Sequence, residues 1–380
     1  MRSLGTETSK RRPTRHAYRH NLLRSVHTLY RPTAIHAWGN LISALNHRIS
    51  MTKDIEKCAS TKQILRVTTL PAKYTKSPFG LAPKQGGTWR RIHHLSSPTG
   101  HSVNDNIPLA WGTLRFKRFD DAIAAVLACG HGSVFIKLHL PDSFGHHAVR
   151  PDECWLLRFS RMGTWWCDQF LQFGNRSLPA IFYVFASALE WILHSQQGLE
   201  HKVHNRDDFL VIFPCSAPSD ALDRYKRDFS QICSELGFRV KGEQNEEGHC
   251  IRFLGIEIDT AAMEARLLHI KHEKATALVN STLALHLVTH RSLETTVGCL
   301  SVASKVLPAI APFLCQLYND MTAISQTDQM GVWSDITKDL FWWHTLLTQC
   351  NGIRLLPHPR RICELWIGAS EQNGIGGYFL

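Results

Sequence analysis

Several familiar catalytic motifs are missing from this sequence. It contains no phosphate-binding P-loop, no Ser–His–Asp order and no glycine-rich dinucleotide motif. It also contains no internal repeat and no low-complexity tract. These absences argue against a P-loop NTPase, a triad hydrolase, a nicotinamide-dependent enzyme and a repeat protein.

Cysteine pairs of the CxxC type and long apolar runs are missing too. The 11 cysteines are scattered along the chain, so we expect reduced thiols in an intracellular protein of the nucleus or cytoplasm, and neither disulfides nor a zinc site. No apolar run approaches the ~20 residues that span a bilayer. The arginine-rich N-terminus has no apolar segment behind it. We therefore expect no secretory signal and no membrane partner.

What the sequence does contain is an ordinary globular composition with an excess of positive charge. Its 380 residues are 44% apolar and 20% charged, which suffices for two or three domains with their own cores. The 43 lysines and arginines exceed the 32 acids and give a net charge of +11. This balance suits a polyanionic partner, most simply a nucleic acid.

The order of periodic segments predicts an α+β fold. Residues 207 and 208, both aspartates, lie between short runs of β-branched and aromatic residues that predict an antiparallel hairpin. The expected helices cover 34–45, 120–129, 179–194, 219–236 and much of 271–349, and the expected strands cover 133–140, 251–259, 263–268 and a hairpin in 363–380. We therefore expect an antiparallel sheet that carries the acids, with helices on one side.

The acidic pair Asp207 and Asp208 has two interpretations. Aspartate is common in solvated turns because its side chain bonds to the nearby backbone. A hairpin tip that presents carboxylate oxygens also suits a hard divalent cation. The pair alone does not decide between these interpretations.

Four segments in the right order resemble the reverse transcriptases of retrotransposons, over about residues 70–320. Residues 77–92 (SPFGLAPKQGGTWRRI) resemble the fingers hairpin, 171–182 (LQFGNRSLPAIF) the block before a palm helix, 205–208 (NRDD) the acidic turn and 253–258 (FLGIEI) the primer-grip strand. Residues 102–105 (SVND) are most similar to retroelement polymerases of fungal genomes.

This resemblance implies a right-hand polymerase fold and RNA-directed DNA polymerase activity. It implies a basic arm and helix over 1–64, fingers and palm over 65–262, a thumb over 263–325, a connection over 326–361 and the start of a ribonuclease H-like domain over 362–380. The implied partners are an RNA template, an RNA–DNA hybrid and dNTPs, and the implied cofactor is Mg²⁺ or Mn²⁺.

The same resemblance assigns roles to individual residues. The implied metal ligands are Asp207 and Asp208 on the hairpin. Lys84 and Arg90 of the fingers would contact the incoming phosphates, and together with Arg91 they would hold a hybrid. Phe144 occupies the position of the aromatic residue that excludes a 2′-hydroxyl. Phe173 and Gly174 would line the nucleotide site, where a glycine lets the base approach the backbone.

The sequence also departs from this pattern at the site. His139 replaces the metal-binding aspartate of the first palm strand, and Asp142, three residues on, lies ~10 Å away and on the opposite face of an extended strand. Further departures are Pro141 in that strand, Arg206 beside the acidic pair, Gln244 at the position of a general acid and Gly368 at that of a ribonuclease H aspartate. Imidazole suits zinc or copper better than magnesium, so we expect weakened metal binding and impaired catalysis. The sequence ends about one hairpin after Gly368, and we expect no functional ribonuclease H domain.

Three alternatives remain open from the sequence. The chain is an inert remnant of a transposon, a polymerase-dead protein that still binds nucleic acid, or a weakly active polymerase that recruits another acid or water. The sequence leaves the oligomeric state and the retroelement subclass open.

Overall fold

The chain divides into two compact units in a computed structural model. The structure describes residues 35–70, 72, 74–84, 87–140, 143–197, 202–205, 207–238, 240, 245–285, 287–325, 329–331, 334–355, 365–370 and 374–379. The first unit comprises residues 1–118, 136–211 and 218–245, and the second comprises 119–135, 212–217 and 246–380. Each is described by itself below.

The first unit begins with short elements around a hairpin. They are β1 (His36–Ala37), α1 (Ile42–Asn46), α2 (Arg48–Ser60), β2 (Ile64–Val67), β3 (Thr75–Lys76), β4 (Phe79–Pro83) and β5 (Trp89–His93). Strands β4 and β5 pair antiparallel with Pro83 opposite Trp89, as the resemblance to a fingers hairpin implies. Met51 and Ile55 on one face of α2 pack with Phe79 and Leu81 of β4 in a buried cluster.

A second sheet of the first unit joins β2 to a later hairpin. Two 3-10 turns (Asn104–Asn106 and Leu109–Trp111) precede it, and two more (Ser143–His146 and Cys154–Leu157) lead to β7 (Arg158–Arg161) and β8 (Thr164–Asp168). The strand order is β2-β8-β7. Strand β8 pairs with both neighbours and ends at Asp168, which is fully buried.

The sheet with the acidic hairpin follows. Its neighbouring strands are β6 (Val134–His139), β10 (Asp208–Phe213) and β9 (Lys202–Asn205), in that order, and β6 and β10 belong to the first unit for most of their length. Helices α4 (Leu178–Gln197) and α5 (Ala221–Glu235) complete the unit. Helix α5 ends where Gly237 takes a φ of +80°, as its glycine predicts.

The second unit is a small antiparallel sheet followed by helices. It contains α3 (Phe119–Cys129), β11 (Glu246–Gly248), β12 (Cys250–Phe253), β13 (Ile256–Asp259), β14 (Glu264–Leu267), α6 (His269–Leu283), β15 (Leu287–Thr289), α7 (His290–Ala303), a 3-10 helix (Pro308–Leu314), α8 (Cys315–Ala323), β16 (Gln329–Gly331), α9 (Ser334–Gln349), β17 (Ile353–Arg354), β18 (Leu365–Ser370) and β19 (Gly374–Phe379). The sheet order is β12-β13-β14-β17, and β18 pairs with β19 as the expected terminal hairpin.

Two expected elements differ in the structure. In the described part of the helix predicted over 34–45, helix α1 begins only at Ile42, so the first half of the prediction is wrong there. His36 and Ala37 instead form β1, which pairs with β3, and Leu41 N donates to the Phe79 carbonyl. The strand predicted over 251–259 is two strands. Leu254 and Gly255 take φ values of +51° and +81° and form a tight turn between β12 and β13.

One helix also qualifies the expectation that no segment could cross a membrane. Among the described residues, Leu178–Ser195 is long and apolar enough to do so by length and composition. Core helices of other proteins pass the same test. This segment is α4, and its Glu190 lies within hydrogen-bonding distance (2.6 Å) of the buried His204 ring. Length and composition therefore carry no conclusion about a membrane here.

Candidate metal centre and nucleic-acid interface

The acidic pair lies where β9 turns into β10, beside the end of β6. Asp208 is opposite Asn205 in the antiparallel register of the hairpin. The Leu140 N–H, just after β6, donates to the Asp207 carbonyl at 3.0 Å. This backbone bond fixes the end of β6 against the turn, so His139 and the two aspartates are neighbours.

His139 lies between the two carboxylates. Its Nδ1 is 3.1 Å from Oδ1 of Asp208, and its Nε2 is 3.9 Å from Oδ2 of Asp207. The hydrogen bond to Asp208, with the negative charge of both aspartates, raises the pKa of His139 above 6.5 against the opposing effects of burial and Lys137. The imidazole therefore gains a proton more easily here than in water.

These three side chains could hold a metal ion. Each offers a ligand atom, and the atoms lie within 4.8 Å of one another, which no other group of three such residues does in the part of the chain that the structure describes. The side chains are between 26% and 38% exposed, so solvent reaches the site. A magnesium pair ~3.5–4 Å apart needs bridging carboxylates from separate strands. Because β6 offers an imidazole instead, the donor set does not fit two magnesium ions.

Two further contacts hold the acidic hairpin in place. The Asn205 amide donates to the Lys117 carbonyl at 2.8 Å, and Nδ1 of His204 lies 2.6 Å from Oε2 of Glu190 on α4. The His204 ring is buried and stacks on Phe209, with 5.6 Å between the ring centroids. The hairpin is thus anchored on both sides, and Lys117 belongs to the basic segment 115–118 (Arg-Phe-Lys-Arg).

The β4–β5 hairpin presents the two predicted phosphate contacts to solvent. Lys84 and Arg90 are both exposed, Lys84 just past the end of β4 and Arg90 on β5. The Arg90 guanidinium lies 4.2 Å from the ring centroid of half-buried Phe173. Such a cation–π contact orients the guanidinium and leaves its edge free to donate hydrogen bonds. The structure therefore brings Arg90 and Phe173 together.

Gly174 follows Phe173 in a backbone that admits no side chain. Its φ is +115°, and a Cβ there would collide with the His93 carbonyl. His93 N–H also donates to the Phe173 carbonyl at 3.0 Å. A structural need for glycine thus exists at this position whether or not a nucleotide base approaches it.

Arg91 is the predicted phosphate contact that the structure contradicts. Its guanidinium is buried and bonds to Asp168 at 2.9 Å, with Asp54 3.3 Å away. Neighbouring residues on a strand point to opposite faces, so Arg90 reaches solvent and Arg91 enters the interior beside α2. The prediction that Arg91 holds a nucleic acid through phosphates is therefore wrong.

Several predicted residues lie outside the described part of the chain. These are the N-terminal arm up to residue 34, Pro141, Asp142, Arg206 and Gln244. Phe144 lies in the 3-10 turn Ser143–His146, but its side chain is outside the described atoms. Gly368 lies in β18, opposite Gly376 of β19.

The sequence analysis missed a residue that organises this region, Asn104. Its amide donates to the Gly174 carbonyl at 2.7 Å and to Ser96 Oγ at 2.8 Å, and its oxygen accepts the Arg176 N–H. A buried asparagine with both ends satisfied rigidifies the backbone that it joins. The sequence did contain a signal for this residue, because Asn104 belongs to segment 102–105, which carries part of the resemblance. The resemblance implied no function for that segment, however.

Comparison with solved structures decides the fold. The structure superposes on a foamy viral protease–reverse transcriptase in complex with double-stranded DNA with a TM-score of 0.66, at 16% identity over 94% of this chain and 57% of that chain. The chain has a right-hand polymerase fold. A foamy viral protease–reverse transcriptase in complex with an RNA/DNA hybrid matches with a TM-score of 0.65, at 16% identity over 94% of this chain and 46% of that one. The α+β polymerase fold implied by the resemblance is confirmed.

Sequence comparison points to the same reverse-transcriptase-like group. The chain is 24% identical over 245 residues to the Pro-Pol polyprotein of simian foamy virus type 3 (strain LK3). The match covers 64% of this chain and spans about a fifth (19%) of that polyprotein. No profile of a known protein family matches the chain. The coarse similarity is thus to retroviral reverse transcriptases, and the fungal subclass stays a prediction.

Proposed function

We propose that this reverse-transcriptase-like chain binds nucleic acid duplexes, RNA–DNA hybrids in particular, and that its DNA polymerase activity is impaired. The observation that carries the proposal is the reverse-transcriptase fold with His139 between Asp207 and Asp208. The fold argues for a duplex partner. The imidazole argues against efficient nucleotide addition with Mg²⁺ or Mn²⁺ and dNTPs.

Duplex binding is supported by the similar structures and by the charge of the chain. The solved foamy viral enzymes were in complex with double-stranded DNA and with an RNA/DNA hybrid. In this chain, Lys84 and Arg90 are exposed on the fingers hairpin, and the net charge is +11. Phosphate contacts supply most of the sequence-independent affinity for nucleic acid.

Impaired catalysis is supported by the charge of the metal centre. Two metal ions activate the primer hydroxyl and grip the triphosphate, and bridging carboxylates allow them to lie close together. A neutral or protonated imidazole removes a negative charge where two dications would meet. The chain therefore keeps residues for binding a duplex and lacks one for polymerising.

Hybrid binding is tested with the purified full chain and a fluorescently labelled RNA–DNA hybrid in EDTA, by anisotropy over a series of salt concentrations. We expect the logarithm of the binding constant to fall linearly with the logarithm of salt. Changing Lys84 and Arg90 to Ala should reduce that slope by about one per lost phosphate contact. The control is Arg227→Ala, an exposed arginine of α5, which should leave the slope unchanged.

The outcomes separate this proposal from the inert remnant. No measurable binding at low salt would contradict the proposal and support a chain without function. Equal slopes for the double variant and the control would show that the fingers hairpin does not contact the phosphates.

A further inference from the structure

The donor set of the candidate metal centre differs in kind from that of a magnesium site. It consists of one imidazole nitrogen from His139 and one carboxylate oxygen each from Asp207 and Asp208, all within 4.8 Å of one another. Magnesium prefers oxygen ligands in octahedral geometry and keeps much of its hydration. Imidazole with carboxylate is instead a common donor set for zinc and similar transition-metal ions.

The distances suit one small ion. Bonds of ~2.0–2.1 Å in a tetrahedral zinc site place neighbouring ligand atoms ~3.3 Å apart. Nδ1 of His139 lies 3.1 Å from Oδ1 of Asp208, and one ligand atom from each of the three side chains lies within 4.8 Å of the others. Side-chain rotations that shorten the longer separations would therefore close three ligands around one ion.

The surroundings fix the ligands and leave one side open. The Leu140 N–H bond to the Asp207 carbonyl couples the end of β6 to the turn. The hydrogen bonds of Asn205 to the Lys117 carbonyl and of His204 to Glu190 hold the hairpin in place. All three ligand side chains are partly exposed, so water can complete the coordination.

We propose that His139, Asp207 and Asp208 bind a single transition-metal ion of the zinc class, with one coordination position open to solvent, in place of a magnesium pair. The site is the one that the proposed function calls impaired. The inference does not depend on hybrid binding, because that binding is measured in EDTA and this one without nucleic acid.

The test uses cobalt(II) as a visible substitute for zinc in the purified full chain. Exposed thiols, among them Cys215, Cys250, Cys315 and Cys350, are first blocked with iodoacetamide, because thiolates would bind cobalt themselves. We expect a visible absorption band of low-coordinate cobalt that saturates with one equivalent at the site. Zinc should abolish the band, and a large excess of magnesium should leave it in place.

Two variants assign the band to these residues. Both His139→Asp, which restores an all-oxygen set, and the nearly isosteric Asp208→Asn should lose at least tenfold in cobalt affinity. The control is His131→Asp, which makes the first of these changes at an exposed histidine and should keep the full affinity. Circular dichroism checks that each variant is folded.

Three results would overturn the inference. They are the absence of a cobalt band in the unmodified chain, a band that persists in both site variants, and displacement of cobalt by magnesium at comparable concentration. Should His139→Asp fail to fold, the comparison between Asp208→Asn and the control still decides it.

Discussion

The guanidinium of Arg91 donates a hydrogen bond to the carboxylate of Asp168 at 2.9 Å, and both side chains are buried. Asp54 of α2 lies 3.3 Å from the same guanidinium, and His93 lies 3.1 Å from the second Asp168 oxygen. Burial and the Arg91 charge lower the pKa of His93 to about 3, so its ring is neutral. This network joins the β4–β5 hairpin to α2 and β8.

We predict that Arg91→Ala destabilises the chain strongly. Removing one partner of a buried ion pair costs about 3–5 kcal/mol. Burial raises the pKa of Asp168 to about 7, so its uptake of a proton in the variant offsets part of that cost. Urea unfolding monitored by circular dichroism measures the difference. Arg66→Ala, at an exposed arginine of β2, is the matched control and should change stability by less than ~0.5 kcal/mol. Equal effects of the two variants would contradict the structural role of Arg91.

The contrast between Arg90 and Arg91 shows which features of β5 could be predicted from the sequence. Alternation along β5 predicts that adjacent arginines face opposite sides. It does not say which side is covered, because that depends on α2 and β8, which are distant in the sequence. The resemblance implied that both arginines contact phosphates. The structure distinguishes them, because only Arg91 bonds to the buried carboxylate of Asp168.

The acidic hairpin was easier to predict. Strands β9 and β10 follow from runs of β-branched and aromatic residues on both sides of the aspartates, and the resemblance named His139 as the residue opposite. The anchors of that hairpin were not predictable. Asn205 bonds to Lys117 and His204 to Glu190, and periodicity carries no information about such pairs. The described first half of the helix expected over 34–45 was not predictable for the same reason, since β1 pairs with β3 there.

We predict that Gly174→Ala lowers the free energy of unfolding more than the same substitution at a glycine that has a positive φ but no close neighbour. Its φ of +115° disfavours any side chain, and the new Cβ would collide with the His93 carbonyl. Gly163, with a φ of +77° and no atom within 4 Å of its Cβ position, is the matched control. Gly163→Ala should cost about 1 kcal/mol and Gly174→Ala at least about 2 kcal/mol, by urea unfolding. Similar costs would mean that segment 173–176 can move away from His93.

We predict that His147 makes the chain sensitive to acid. Its ring is buried beside Phe182, Phe185 and Phe238. Burial, with a smaller effect of His146, lowers its pKa from 6.5 to about 4. The unfolded chain therefore takes up a proton near pH 6.5, whereas the folded chain resists it until about pH 4.

The contribution of His147 to stability is thus complete above pH 6.5 and is lost as the pH falls toward 4. The full loss is about 3 kcal/mol. We expect the unfolding free energy of His147→Leu to fall less steeply over this range than that of the unmodified chain. The same comparison with His131→Leu, at an exposed histidine, should show no difference. Parallel pH curves for His147→Leu and the unmodified chain would refute the assignment.

The last prediction concerns polymerisation. We expect the unmodified chain to extend a primer very slowly with magnesium or manganese, because His139 removes a carboxylate from the point where two dications would meet. Each ~1.4 kcal/mol of lost transition-state stabilisation lowers the rate tenfold. The variant His139→Asp restores the charge, and we expect its extension rate to rise at least tenfold. His131→Asp makes the same chemical change away from the site and should give no increase.

A triple variant that adds Arg206→Met and Gln244→Lys tests two further departures seen in the sequence. Recovery in the triple variant alone would show that impairment is shared among these positions, whereas efficient synthesis by the unmodified chain would refute the impairment itself.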